Sequence, residues 1–201
     1  DYRPELESSA ECNAELTQIY QNLIGILRWC CELGRIDILL EVSLLSQYLV
    51  QPRIGHLEQV MNVFRYLKKH DRSWNVLDPT DYNIEWEPKK DEPSPWERAN
   101  AMKELYHEAE DDLPPKMPIP LGTVVNVNIF VDADHAGNKV TRRSHTGIII
   151  FINSAPILWY SKRQNTVETS TFGSEFIALR IATEMNEALR YKLRMFGVPL
   201  E

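Results

Sequence analysis

Hydrophobic residues in this chain change their period near Val124, and that change decides which folds are open to it. Up to about residue 70 they recur at helical spacing: Leu16, Ile19, Tyr20, Leu23, Ile26, Leu27 and Cys30 make one stripe, with Gly34 as a stop. A second helix is predicted over 36–50, ended by Pro52. A third runs from about Gly55 to Lys69, with Leu57, Val60, Met61, Phe64 and Leu67 on one face. From Val124 onward, Val125, Val127, Ile129 and Val131 alternate with Asn126, Asn128, Phe130 and Asp132, the period-2 mark of a strand. GIIIFIN is a continuous apolar run suited to a strand buried on both faces, and APILWYSKRQ gives a third strand after a turn at Asn153-Ser154. Ser170 or Thr171 then caps a long helix that Gly197 and Pro199 close. Helices, then three strands, then a helix read as an α+β fold: an N-terminal helical segment followed by an antiparallel three-stranded meander and a long helix.

Three stretches follow: a helical segment over 1–77, an acidic Pro-rich linker over 78–122 and a strand–helix domain over 123–201. The linker holds one predicted helix, WERANAMKELYHEAEDD, and SWNVLDP before it suggests a short strand. The net charge of −7 argues at first sight against a nucleic-acid partner. From residue 123, however, nine Lys/Arg stand against seven Asp/Glu, so the acidity belongs to the earlier part, chiefly the linker. The longest apolar stretch, Gly147–Ile152, is far too short to span a bilayer, and the first residues lack the basic and apolar regions of a signal peptide. No membrane partner and an intracellular location are expected. Cys12, Cys30 and Cys31 are odd in number without ligand spacing, and read as reduced core thiols. The five histidines show no ligand spacing either.

Asp132 and Asp134 stand one residue apart where the first strand ends, and Glu175 falls near the start of the last helix. Carboxylates converging from different elements can hold divalent ions that activate a water and neutralise charge on a leaving oxygen, as two-metal phosphodiester chemistry requires. The same residues have plainer readings. The aspartates can make Asx-type hydrogen bonds to the turn at Ala136-Gly137, and Glu175 can complement a helix dipole. A metal–nucleotide-sugar site is a third reading of Asp-x-Asp, but no nucleotide-binding βαβ unit precedes it. Arg142, Arg143, Lys162 and Arg163 flank one sheet edge, as a solvated rim or as contacts to phosphates. Trp159, Tyr160 and Phe176 read as core aromatics.

VDADHAG, TRRSHTG, ILWYSKRQNTVETSTFGSEFIAL and RYKLRMFGVPL resemble the RNase H domain of copia-type retrotransposon polyproteins. The stretch from Ile19 to His70 is similar to the connection segment after the polymerase palm of the same polyproteins. The resemblance implies an RNase H-like domain with Asp132 and Glu175 catalytic. It also implies magnesium or manganese on Asp132, Glu175 and Asp134, and an RNA–DNA hybrid as partner, recognised by shape and 2′-hydroxyl contacts. It implies no small-molecule cofactor, and a location in a cytoplasmic particle or the nucleus. Gly173 stands where the family pattern has a Glu, and His135 where it has an aromatic. The family carries a third catalytic Asp on a strand after this helix, whereas the sequence reaches Pro199-Leu200-Glu201 without it. A domain truncated before that strand, weak metal binding in this fragment and an unpaired edge along Val125–Val131 are therefore expected. No Tyr-x-Asp-Asp polymerase motif occurs. The alternative is a degenerate remnant without catalysis, at most a nucleic-acid-binding or interaction module.

Overall fold

The computed structural model describes residues 2–73, 75–80 and 114–200, and it has three layers. The first is helical. Helix α1 spans Ala14–Glu32 and starts where Asn13 Oδ1 accepts the Leu16 amide at 2.9 Å. Its buried stripe is Tyr20, Ile24, Leu27 and Cys31, which packs with Ile38, Val42, Leu45, Val60 and Val63 from the two following helices into one core. Helix α3 spans Ile54–Lys69, close to the expected bounds. Its start is fixed by His56, whose Nδ1 accepts the Arg53 amide at 3.0 Å while Nε2 donates to the Pro4 carbonyl at 2.9 Å.

The helix expected over 36–50 is shorter. A 3₁₀ turn at Ile36–Ile38 leads into helix α2, Leu39–Leu45, and a second 3₁₀ turn follows at Ser46–Tyr48. Side chains take the carbonyls that would have continued it: Tyr20 OH donates to Leu45 O at 2.7 Å, and Ser46 Oγ to Ser43 O at 2.9 Å.

The middle layer is an antiparallel sheet in the order β1-β2-β3, with β1 at Val127–Ala133, β2 at His145–Ile152 and β3 at Ala155–Arg163. The β2–β3 turn is tight because Asn153 accepts a φ of 52°, as a two-residue hairpin demands. A bulge at Ile150/Phe151 lies where β3 offers Pro156, which has no amide to donate. The first strand begins at Val127 rather than Val124. Val125 instead makes an isolated parallel bridge with Leu200, its amide donating to the Pro199 carbonyl at 3.0 Å. The β1 edge is thus already met at one end by the segment that follows the last helix.

The third layer is helix α4, Thr171–Met195, with Ser170 Oγ accepting the Gly173 amide at 3.1 Å. It lays Ala182, Ile181 and Met185 on Ile148, Ile150, Val127, Ile129 and Val131. The chain turns back after α4 through Gly197, whose φ of 72° favours glycine. The opposite face of the sheet carries the helical layer: Trp159 Nε1 donates to Cys31 O at 2.9 Å, and Ser43 Oγ to Ser161 O at 2.8 Å. No strand occurs among the described residues of SWNVLDP. Residues 79 and 80 instead give their carbonyls to Asn153 Nδ2 at 2.8 Å and Ser154 N at 3.0 Å. The helix predicted in the linker lies outside the described residues. Among the described residues no helix is long and apolar enough to cross a membrane.

Candidate active site

The two aspartates of the strand end have different surroundings. Asp134 belongs to the turn: its amide donates to His145 O at 3.1 Å, and its Oδ1 accepts the His145 amide at 2.5 Å. A Cβ at Gly137 would fall on Asp134 Oδ2, so a larger residue there would have to displace the Asp134 carboxylate. The expected Asx-type bonds to Ala136-Gly137 are not made, the Ala136 amide donating to Ser144 Oγ at 3.0 Å instead. Asp134 is thus structurally engaged, but with the His145 amide of β2. Asp132 makes no such bond. It is the penultimate residue of β1, paired in register with Gly147, exposed, and without a hydrogen-bond or ion-pair partner among the described residues.

Alternation along β1 places Val127, Ile129 and Val131 towards α4, so Asp132 follows on the other face. There it lines an open cleft of about 450 Å³ together with Leu39, Leu40, Phe130 and His145. Glu175 is the fifth residue of α4, one position beyond the first turn, half-buried and likewise without a partner among the described residues. At that position the helix-dipole reading weakens, because the effect fades within the first turn.

Gln164 relates the two elements. It is 4% exposed, and its Nε2 donates both to Thr146 Oγ1 at 3.0 Å and to Ser174 O at 2.9 Å. Thr146 pairs with Ala133, the residue after Asp132, and Ser174 precedes Glu175. The start of α4 is thereby tied to the end of the sheet where Asp132 lies, but α4 and Thr146 are on one face and Asp132 is on the other, so the structure does not bring the two carboxylates together. Among the described residues no group of three or more His, Cys, Asp or Glu is placed to hold a metal. Asp132 and Glu175, on opposite faces of the sheet, do not form a ready donor set for a hard divalent cation.

The four cations expected along one edge are divided. Arg163 and Arg143 line a cavity of about 170 Å³ with Arg3 and Glu5 of the helical layer. Lys162 is exposed, two residues from Gln164 and so on the α4 side of β3. Arg142 is exposed at the β1–β2 turn, with a φ of 57° and its amide on Asn138 O at 2.8 Å. Of the expected core aromatics, Trp159 and Tyr160 are partly buried, but Phe176 is 58% exposed. The row Ser174, Ala178 and Ala182 takes the inward face of α4 and turns Phe176 outward, where it stacks on Phe172.

His145 is a polar junction that sequence reading left unassigned. Its Nε2 lies 3.3 Å from Ser43 Oγ of α2 and 2.9 Å from Ser161 Oγ of β3. Burial pushes its pKa below the ordinary value, against the opposing charge of Asp134 and with that of Arg163.

Helices, an antiparallel three-stranded sheet and a long final helix define an α+β protein. No family model and no solved structure matches the chain. Curated relatives do. A Saccharomyces cerevisiae protein named for the transposon Ty5-1 is 42% identical over 161 residues, which is 80% of this chain and 38% of that protein. An uncharacterized mitochondrial protein of Arabidopsis thaliana is 44% identical over 162 residues, 81% of this chain and 50% of its own length. A secreted RxLR effector protein of Plasmopara viticola is 25% identical over 165 residues, covering 82% of this chain and 87% of the relative. The chain thus spans half or less of the length of these yeast and Arabidopsis relatives. It is related to copia-type retrotransposon Pol polyproteins and corresponds to a fragment of one.

Proposed function

We propose that this chain is the connection segment and RNase H-like part of a polyprotein that hydrolyses the RNA strand of an RNA–DNA hybrid. Asp132 and Glu175 are its catalytic carboxylates. What supports this most is the Gln164 tie, which sets the start of α4 at the same end of the sheet as Asp132. Since Asp132 lies on the face away from α4, a shared metal requires its carboxylate to turn round the β1 edge. Bound magnesium or manganese would supply an activated water and charge neutralisation at the leaving oxygen. The chain's own part is to hold the two carboxylates on separate rigid elements. Asp134, engaged in the turn, fixes the strand end and is at most an auxiliary ligand. Arg142, Arg143, Lys162 and Arg163 would meet the phosphate backbones of the hybrid.

The test is cutting of a labelled hybrid in magnesium. The 201-residue chain is expected to cut below detection. Joining an Asp-bearing strand after Leu200, where pairing with Val125 has begun, should raise the rate by about a hundredfold to a thousandfold. Asp132→Asn and Glu175→Gln should each abolish the gain, and cutting that survives both refutes the assignment. A second reading, a non-catalytic nucleic-acid-binding or interaction module, is favoured by one observation: Asp132 lies on the sheet face away from α4, the helix that carries Glu175.

A further inference from the structure

The arm over residues 2–12 lies along the start of α3 and is fastened there along its length. Pro4 is buried, and its carbonyl takes the His56 Nε2 proton at 2.9 Å. Ser9 Oγ accepts the Gly55 amide at 2.8 Å, the Ile54 amide donates to Ala10 O at 2.9 Å, and the Cys12 amide donates to Pro52 O at 2.9 Å. The Glu7 carboxylate accepts the Ser9 amide at 3.0 Å and covers Gly55 so closely that a Cβ there would fall on it. A segment held in this way belongs to the helical layer and is no loose terminus.

From that anchor two side chains reach the β1–β2 turn, residues 134–144. Arg3 Nη1 donates to Gly137 O at 3.3 Å, and Glu5 Oε1 accepts the Lys139 amide at 3.1 Å. Within the turn, Asn138 Oδ1 accepts the Val140 and Thr141 amides at 3.1 and 2.7 Å. Those local bonds shape the turn without setting where it stands relative to the helical layer. The backbone there is also costly, since Ala136 and Arg142 hold φ values of 51° and 57° that residues with a Cβ seldom adopt. Such conformations persist where surrounding bonds hold them. The arm supplies two, and their effect reaches the strand end: Gly137 lies against the Asp134 carboxylate, which accepts the His145 amide of β2.

We propose that the arm over 2–12 is a positioning strap: anchored on α3, it fixes the β1–β2 turn through Arg3 and Glu5 and so sets the end of β1 that carries Asp132 and Asp134. Arg3 and Glu5 are positioning residues that act through the turn. The inference rests on the proposed function only for the role given to Asp132, and the positioning itself is read without any cutting.

Amide hydrogen exchange and NMR shifts of the full chain, without metal or nucleic acid, test it in Arg3→Ala, Glu5→Ala and Glu5→Gln. Glu5→Ala removes the acceptor of the Lys139 amide, whereas Glu5→Gln keeps one. Exchange at Lys139 should be about fivefold or more faster in Glu5→Ala, as loss of one hydrogen bond implies, and near wild type in Glu5→Gln. In Arg3→Ala combined with Glu5→Ala, the amides of 132–134 should shift, and trypsin under native conditions should cut after Lys139, Arg142 or Arg143 about tenfold or more faster. The Ile54 and Gly55 amides, which hold the arm to α3, should keep their protection in every variant. Unchanged exchange in the turn of both alanine variants overturns the inference, and so does a loosened turn with the amides of 132–134 unmoved. Exchange raised throughout the chain also overturns it, because the arm would then be a general prop of the fold. Each of these leaves the Asp132–Glu175 reading standing, whereas cutting that ignores Asp132, with the local effects intact, refutes that reading and leaves the strap in place.

Discussion

The two sides of the sheet are packed differently. The helical layer joins nine buried residues, from Tyr20 to Val63, in one continuous cluster. On the α4 side the buried apolar cluster is smaller, Ile148, Ile150 and Ala182 with Ala178 nearby, and half-buried neighbours such as Val131 and Met185 complete the contact. The first side is organised chiefly by apolar packing, with the Tyr20 hydroxyl and the His56 ring hydrogen-bonded within it. The second leaves room at the sheet end for polar groups that packing would otherwise exclude: Thr146, Gln164 and Ser174 are buried there on hydrogen bonds. The candidate chemistry sits beside that polar end, where the sheet is held by specific bonds.

The largest effect that can break this comparison is a core truncation on each side. Leu27→Ala and Ile150→Ala, both at fully buried positions, should each cost about 2–5 kcal/mol in a denaturant titration. Because Trp159, Ser43 and His145 tie the layers across β3, both variants should shift one common transition. Two separate transitions, each moved by only one variant, would show the layers to be independent.

A smaller effect probes the junction itself. His145 is held below its ordinary 6.5 by burial. As pH falls through that value the unfolded chain takes up a proton that the folded chain refuses. Stability should therefore be full above about pH 6.5 and fall below it, by at most about 1.4 kcal/mol per pH unit. His145→Gln should flatten that limb, and an unchanged acid limb in the variant would remove His145 from the junction.

The smallest effect separates the neighbouring aspartates. Asp134→Ala loses the bond to the His145 amide and should cost about 1 kcal/mol. Asp132→Ala loses no bond among the described residues and should stay within about 0.5 kcal/mol of the wild type. Equal losses would mean that Asp132 is structural too.

Much of this fold was legible in the sequence, and the misses have physical causes. The alternation from Val125 and the run GIIIFIN marked the meander because a half-buried sheet forces period 2, and Ser170 was visible as a cap. Helix α2 was overextended because nothing local reveals that Tyr20, 25 residues away, takes the Leu45 carbonyl. The strand suggested by SWNVLDP has no counterpart among its described residues, where the backbone of Pro79 and Thr80 bonds to the β2–β3 turn. Asp132 and Glu175 could be named from the motif, but the different lot of Asp134 depended on where the β1–β2 turn folds back. Gln164 and His145 carried no signal at all, since their partners come from distant elements and spacing along the chain does not record such contacts.

The most direct test of the central claim is a manganese titration followed by amide NMR line broadening. If Asp132 and Glu175 share a metal, the amides around 131–133 and 174–176 should broaden together at the lowest manganese concentrations, and Asp132→Asn should abolish both sets at once. Broadening of one set without the other, or broadening centred elsewhere and indifferent to Asp132→Asn, would contradict the account.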